Sequence, residues 1–555
     1  MKKLLLTICL VVSFSALSAP PARALEGDVV KVGLRFGSSA MFSANLENAE
    51  GSGYAFGYYD EDRRFEELGW TEERAISMTA AGDIYLDSSG AYTRTASSGR
   101  SIGAWHVELD GFRSFEEARQ AAADYGGYPA WIDGAYVVRT GDYSSRQEAG
   151  DAADRLGEGY AACSSGTGVL VTVTRSTEIL FEFDGGGRWS LGVQPSGQDT
   201  VTWFRGYKYP GGFEYARTGG GDLQVVNVVD LEDYVRGVLP SEMGSGWPAA
   251  ALEAQAVCAR TYVCGNSKHA SLYGFDVCNG IDCQVYNGLS GATAETDRAV
   301  YNTAGEKLFY DGYLVQDPVY HSSNGGATED ARNVWGTEKG YLKGKADPYE
   351  GRITIPNYSW TVTYTAAELT WILEQKGYTV GTVQNVYVSA YTPQGNVSAV
   401  TIEGSLGTKT VTGNTCSSVF YSSTYGKSVR SLRFSINGGG PAAGASGDAL
   451  YASGGEQLSS GLGGLTAITG SGMHTLEGDS CAVLSASGTS TVSTAPTGGT
   501  VSQAPTSNHN GNFVITGTGN GHNVGMSQYG AKAMAEQGFT YREILQFYYT
   551  DITIQ

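Results

Sequence analysis

The hydrophobic pattern along this chain changes period several times. VVKVGLRF at 29–36 alternates apolar and polar residues, the period of a half-buried strand. A stretch rich in Gly, Tyr and acids follows to about Gly99. The pattern then duplicates itself. AWHVEL at 104–109 reads as a strand and runs into FRSFEEA at 112–118. Further on, YSSRQEA at 143–149 repeats that turn and helix start behind the strand-like AYVVR at 135–139. Each half predicts strand, turn and a helix opened by a serine N-cap, Ser114 or Ser145, with acids in the first turn. Together they predict a small βαβα module over residues 100–166.

From Thr167 to Asp230 strands broken by glycine pairs dominate, closing on VVNVVD at 225–230. Residues 231–238 switch to helical spacing, and Pro240 is expected to end that helix. Pro248 suits the first turn of the next, and 249–263 are strong helix formers. Ser241, Glu242 and Met243 are therefore expected in a short turn between two helices. Residues 437–511 have the Gly, Ser, Ala and Thr content of a linker. LTAITG at 465–470 is nevertheless echoed by CAVLSA at 481–486, as short hairpins would be, so the stretch reads as an insertion. Near the C-terminus Gly538 stops one helix, and Thr540 with Glu543 forms a capping box for the last.

The fold class is α+β and multidomain. Residues 25–99 are expected to form a β-rich segment, with 29–36 a candidate strand of the later domain. The module at 100–166 follows. A mixed strand and helix domain spans 167–436 and resumes at 512–555 beyond the insertion at 437–511.

Composition narrows the setting. Met1-Lys2-Lys3, an apolar run from Leu4 to Leu17 and Ala22-Arg23-Ala24 form the pattern of a cleaved secretory signal over 1–24. The run is short for a bilayer span, so cleavage is favoured over an uncleaved anchor. The mature chain is expected outside the cytoplasm, with no membrane span. The 555 residues carry a formal charge of −20, and losing the three cations of the leader makes it −23. That balance argues against nucleic acid as a partner, since its binding needs clustered Lys and Arg. It suits work among neutral sugars, for which 35 Tyr and 9 Trp offer ring faces, although core packing accounts for many of them. Seven cysteines follow the leader, so at least one is unpaired, metal-bound or intermolecular.

Glu242 is the first candidate for chemistry. At the positive end of the helix after it, its carboxyl pKa would fall unless an apolar wall such as Met243, Trp247 and Tyr262 opposed the effect. From the residues alone Glu242 reads equally as a glycosidic acid or as a helix cap.

The segment LEDYVRGVLPSEM followed by WPAAALEAQAVCARTY, at 231–262, resembles the signature of the SpoIID/LytB family. FDVC and CQVY at 275–286, YHSSNGG at 320–326, VWG at 334–336 with DPY at 347–349, and GNGHNVGMSQYGA at 519–531 follow in the family's order. The resemblance covers about Thr167 to the C-terminus, interrupted by the insertion. Members include sporulation lytic transglycosylases and amidase enhancers, and the resemblance implies that Glu242 is the catalytic acid/base. A lytic transglycosylase needs no second carboxylate, because the muramic acid 6-hydroxyl is the internal nucleophile and a 1,6-anhydro product results. The expected activity is thus cleavage of MurNAc–GlcNAc strands in sporulation or wall remodelling. The alternative is a non-catalytic, wall-binding enhancer of an N-acetylmuramoyl-L-alanine amidase, with that amidase as partner.

His321, before Ser322 and Ser323, reads as groove lining or as a buried histidine satisfied by backbone. Ser241, His522, Ser527, Gln528 and Tyr529 are expected to line the same groove, where glycines let backbone approach a ligand. Asn523 stands where the family has glycine, and Asn tolerates the left-handed conformation. The duplicated module resembles the SPOR (sporulation-related repeat) domain, which implies binding to peptide-stripped glycan; a ferredoxin-like spacer is the alternative. No cofactor is required by this chemistry. Some family members hold zinc near the site, and here Cys278 and Cys283, with His269 and with Asp282 where the family often has His, are the matching residues. Zinc, a Cys278–Cys283 disulfide and free thiols all remain readings of that set.

Overall fold

The computed structural model describes residues 29–95, 101–198, 200–217, 221–438 and 511–555, together with four short strands between 466 and 493. The expected leader at 1–24 lies outside the described residues. The architecture is mixed α+β, with eleven α-helices and several sheets among the described residues.

Two large sheets dominate the N-terminal half. Five early strands are β1 (Val29–Arg35), β2 (Ser43–Asn48), β3 (Tyr54–Tyr59), β4 (Phe65–Thr71) and β5 (Ala75–Ala80). In the seven-stranded sheet the order is Val277–Cys278, β1, Leu223–Asp230, Gly212–Arg217, Leu191–Pro195, β3, β4. The apolar strand Leu223–Asp230 pairs antiparallel with β1, Val30 opposite Val229 and Val32 opposite Asn227. On β1's other edge Val32 and Gly33 pair parallel with Val277 and Cys278. Gly33 must lack a side chain there: a Cβ would lie 2.3 Å from the Phe275 ring.

Among the described residues of 25–99, β1 was already a candidate strand of the later domain, and the strands after it, expected as a segment apart, do not stand apart either. Strands β1, β3 and β4 belong to the seven-stranded sheet, while β2 and β5 belong to a ten-stranded one. Their alternating residues are buried against later strands; Phe56, for example, stacks on Phe181 at 5.4 Å in the shared core. Such pairing spans more than a hundred residues and leaves no local mark.

The duplicated module also holds more than its expected four elements. Its strand Trp105–Phe112 leads to helix α1 (Phe115–Tyr125), then strands Gly127–Ile132 and Ala135–Tyr143, helix α2 (Arg146–Leu156) and strand Tyr160–Cys163. The arrangement is thus strand–helix–strand twice over. Gly127 and Pro129 read locally as breakers and hid one of the added strands. The serine caps stand as expected, with Ser114 accepting from Glu117 N and Ser145 from Glu148 N.

The module's strands extend the ten-stranded sheet. Gly127–Ile132 pairs parallel with Ile179–Asp184, Ala130 opposite Glu182. Arg139, on a module strand, bridges Glu108 of the module and Glu182 of the body, at 2.7 Å to each. All three side chains are buried. Breaking such a triad would leave uncompensated charge inside, so it holds the junction in one register.

In the C-terminal half, Asn512–Thr518 is the central strand of a three-stranded sheet between Ser359–Thr365 and Phe434–Ile436. The excursion at 437–511 therefore leaves and rejoins the body on neighbouring strands. Within it the backbone forms two antiparallel pairs, Thr466–Thr469 with Gly472–Thr475 and Ser480–Ser485 with Gly488–Ser493.

Candidate functional site

Asp230 caps helix α3 (Leu231–Glu242), accepting from Glu232 N at 2.8 Å. Leu231, Tyr234, Val235, Val238 and Leu239 bury one face of it. The helix does not end at Pro240. Proline removes one N–H rung, but Met243 N donates to Leu239 O at 3.0 Å and closes a final turn. Glu242 is thus the last residue of α3, not a residue of a turn at the start of α4 (Ala249–Gly265). The correction has a sign. A carboxylate at a helix C-terminus meets the negative end of the dipole, which disfavours its charged form.

Burial acts the same way and is the main cause of the raised Glu242 pKa. Two donors oppose it: the Tyr320 hydroxyl and the Gln528 side-chain amide. Gln528 Nε2 stands 3.3 Å from Glu242 Oε2 and 3.2 Å from Glu242 O. Tyr320 is itself oriented. Its oxygen accepts from Gln284 Nε2 at 3.2 Å, and Gln284 Oε1 accepts from the Tyr234 hydroxyl at 3.0 Å. The result is a relay, from buried Tyr234 and Gln284 to half-buried Tyr320, that aims one hydroxyl at the carboxyl.

Glu242 opens into a cavity of about 400 Å³ lined by Ser241, Tyr262, Cys283, Gln284, Tyr320 and His522, among others. Among the described residues, Glu242 is the one carboxylate in that lining. Gln284 and Tyr320 were not singled out from sequence, although both lie inside the motifs that carried the family resemblance.

The expected groove residues divide. Ser241 and His522 line the cavity. Gln528 touches Glu242, and the Tyr529 ring lies 5.0 Å from that of Trp247. His321 stands one layer back: it is buried, its Nδ1 donates to Val524 O at 3.0 Å, and its ring lies 5.3 Å from His522. Burial holds both imidazoles neutral, His321 well below the ordinary value and His522 at about 4. His522 Nδ1 accepts from Val524 N at 3.1 Å, leaving Nε2 as the protonated nitrogen.

Two serines, Ser323 and Ser527, are corrected. Ser323 and Ser527 are buried and donate to the carboxylate of Glu350, Ser527 at 2.9 Å. Ser527 also caps the helix Gln528–Glu536 by accepting from Gly530 N at 3.0 Å. Ser322 contributes its carbonyl, which accepts from Tyr529 N at 3.0 Å. Ser323 and Ser527 hold the two loops behind the cavity together, because a buried carboxylate needs donors and they supply them. Asn523 adopts φ 66°, and its amide donates to Asn324 O at 2.6 Å. The glycine position thus accepts Asn and gains a cross-link.

Beside the cavity, one ligand atom each of His269, Cys278, Asp282 and Cys283 lies within 4.8 Å of the others. Cys278 and Cys283 are free thiols. His269 Nε2 is buried without a hydrogen-bond partner and faces Asp282 Oδ2 at 3.4 Å. Zinc with bonds of about 2.0–2.3 Å needs its ligand atoms only slightly closer together than this. Two thiols and an orphaned imidazole nitrogen fit such an ion. Asp282 is the weakest donor, being exposed and already paired with Lys268 at 2.6 Å.

Residues 219–310 match the family model described as SpoIID, Stage II sporulation protein. The chain carries a SpoIID-family domain. The matched stretch contains Glu242, Gln284 and all four candidate metal ligands. Tyr320, His522 and Gln528, which stand around the Glu242 cavity, lie beyond it. An uncharacterised protein of Brachyspira hyodysenteriae is 28% identical over 60% of this chain and 68% of its own. The amidase enhancer of Bacillus subtilis is 31% identical over 58% of this chain and 40% of its own. Stage II sporulation protein D of the same organism is 34% identical over 26% of this chain and 46% of its own. The chain therefore spans less than half the length of these last two relatives.

Proposed function

We propose that this chain is a peptidoglycan lytic transglycosylase of the bacterial wall, acting outside the cytoplasm on MurNAc–GlcNAc strands with Glu242 as its acid/base. The observation that carries the reading is a single carboxyl, raised in pKa, lining a cavity with no second carboxylate among the described residues. Protonated Glu242 donates to the O4 leaving oxygen of GlcNAc as the bond from muramic acid C1 breaks. The resulting carboxylate takes the proton of the muramic acid 6-hydroxyl, whose oxygen closes on C1. One group thus serves both halves, and the product is a 1,6-anhydro end. Tyr320 and Gln528 steady the charged form between the two transfers.

Zinc bound by Cys278, Cys283, His269 and Asp282 would supply a cross-link to the wall next to Gln284. The chain's own residues carry the proton transfers.

A second reading has an observation of its own: the amidase enhancer of Bacillus subtilis matches 58% of this chain. On that reading the cavity binds glycan without cutting it, and an amidase is the partner. Incubation with amidase-treated glycan strands separates the two. Mass spectrometry should find anhydromuramyl ends with the wild type and none with Glu242→Gln. Strand binding without any cleavage by the wild type would sink the enzymatic reading.

A further inference from the structure

A groove of about 530 Å³ lies on the three-stranded sheet of the C-terminal half, formed by Ser359–Thr365, Asn512–Thr518 and Phe434–Ile436. Thr361 and Ser435 both stand opposite Thr516, so three hydroxyls share one row and one face of the sheet. The hydroxyls of Ser435 and Thr516 lie 3.0 Å apart. Trp360 and Phe434 alternate to the other face and are buried. Gly517 between them has no room for a side chain, since a Cβ would lie 2.4 Å from the Trp360 ring.

Arg433 closes the end of this groove and is the one charged residue of its lining among the described residues. Its carbonyl accepts from Thr518 N at 3.0 Å, and its Nη1 donates to Gln394 O at 2.7 Å. Among the described residues no carboxylate pairs with the guanidinium, and Nε and Nη2 carry no hydrogen bond. Two carboxylates act on its charge from farther off, Glu329 and Glu350, and both are engaged elsewhere. Glu329 accepts from Asn333, Thr392 and Asn396, while Glu350 ties the loops behind the Glu242 cavity. Burial accordingly holds the Arg433 pKa below the usual arginine value. Buried Arg139 and Arg260 are different, the first paired with Glu108 and Glu182 and the second with Glu232. A cation withdrawn from water without counter-charge is costly, so a groove that keeps one bare is fitted to an anion from outside.

The anion's class follows from the donors. Gly326 at φ 119° and Gly395 at φ 80° flank the guanidinium with backbone alone, and a Cβ on Gly395 would lie 3.5 Å from Nη1. The Nε–Nη2 edge then presents two parallel N–H groups, a fork that both oxygens of a carboxylate match. One cation balances the single charge of a carboxylate, whereas a phosphate monoester brings up to about two. The site also adjoins the Glu242 cavity in the chain. Thr518 lines the groove and His522 the cavity, on a loop bonded to the Arg433 segment through Gly521 N to Arg430 O at 2.8 Å and Leu432 N to Asn523 Oδ1 at 3.3 Å.

We propose that the Arg433 groove is a carboxylate-binding site that reads the lactyl carboxylate of muramic acid, making Arg433 a specificity-determining residue apart from Glu242. The choice of that carboxylate rests on the function proposed above. A stem peptide turns the same group into a neutral amide, which cannot pair with a guanidinium as an ion, so the site separates stripped from substituted strands.

The full chain carrying Glu242→Gln, so that strands stay intact, is titrated with amidase-treated strands and with the same strands after conversion of their carboxylates to methylamides. The free carboxylate strands should bind at least about tenfold more tightly. Adding Arg433→Gln should erase that preference and leave affinity for the methylamide strands unchanged, with an unchanged thermal midpoint showing that the fold persists. Arg433→Lys keeps the charge without the fork and should retain only part of the preference. If Arg433→Gln lowers the midpoint, the lysine variant decides, and an undiminished preference there overturns the proposal. Equal affinity for the two strands overturns it, as does a preference that survives Arg433→Gln or a failure of both strands to bind. A wild type that cuts neither strand while the Arg433-dependent preference persists sinks the transglycosylase reading and leaves the site standing. A wild type that cuts both with the same kcat/KM, with no preference in binding, does the reverse.

Discussion

Burial and the C-terminal end of α3 act on the Glu242 carboxyl in the same direction, and the consequence can be measured without substrate. In the unfolded chain this glutamate ionises near 4.5; in the folded chain it holds its proton to higher pH. Its stabilising contribution is complete below the unfolded value and is lost as pH rises through the folded one. Glu242→Gln, which stays neutral, should therefore melt at a higher temperature than the wild type near neutral pH. The gap should close below about pH 4, and thermal scans at both conditions check it. The same shift sets the expected pH dependence of catalysis: kcat/KM should fall as pH rises through Glu242's raised value, because the acid form starts the reaction. A rate that rises over that interval would contradict the assigned role. Nothing local could have disclosed this environment. The sequence shows Glu242 beside two helices, but which end it faces turned on whether Pro240 stops the first. Asn523 is the opposite case. Its tolerance of positive φ is a property of the residue itself, and the structure finds it at 66°.

At the scale of elements, the cavity rests on two loops that Glu350 ties together. Its carboxylate accepts from Asn324 N at 2.8 Å, Gly325 N at 3.0 Å and the hydroxyls of Ser323 and Ser527. Tyr320 comes shortly before the first loop, and Gln528 directly follows Ser527, so both donors to Glu242 hang on this one buried side chain. Glu350→Ala leaves those donors without a partner and should cost about 3 kcal/mol or more, read by urea denaturation. Activity should fall with it although Glu242 is intact. The metal set depends on elements too: β1 holds the strand Val277–Cys278 at the sheet edge and so presents Cys278 to His269. Purified protein should carry close to one zinc per chain by elemental analysis, and Cys283→Ser should lose it. A metal-free preparation made without chelator would remove the site from consideration. Elements defined by neighbours in sequence were legible: both module helices begin on their expected serines, and Thr540 with Glu543 caps the last helix as a box. Ser323 and Ser527 were misjudged because the group that buries them lies elsewhere in the chain.

Taken whole, the molecule is more continuous than its texture suggests. The module's strands share hydrogen bonds with Ile179–Asp184, and Arg139 reaches across to Glu182. A fragment of residues 100–166 alone loses both, exposing one strand edge and an ill-compensated buried arginine. It should fail to unfold cooperatively by circular dichroism, whereas a sharp transition would show that the module is self-sufficient. Strand pairings across a hundred residues obey no spacing rule, which is why the α+β class was legible and the shared sheets were not.

The Tyr320 and Gln528 bonds to Glu242 carry a last consequence, one of timing. Gln528 lies 286 residues after the carboxyl it holds. A ribosome releases Glu242 and its helix long before the second partner exists. Until the final helices dock, the nascent protein has its acid but not the setting that tunes it.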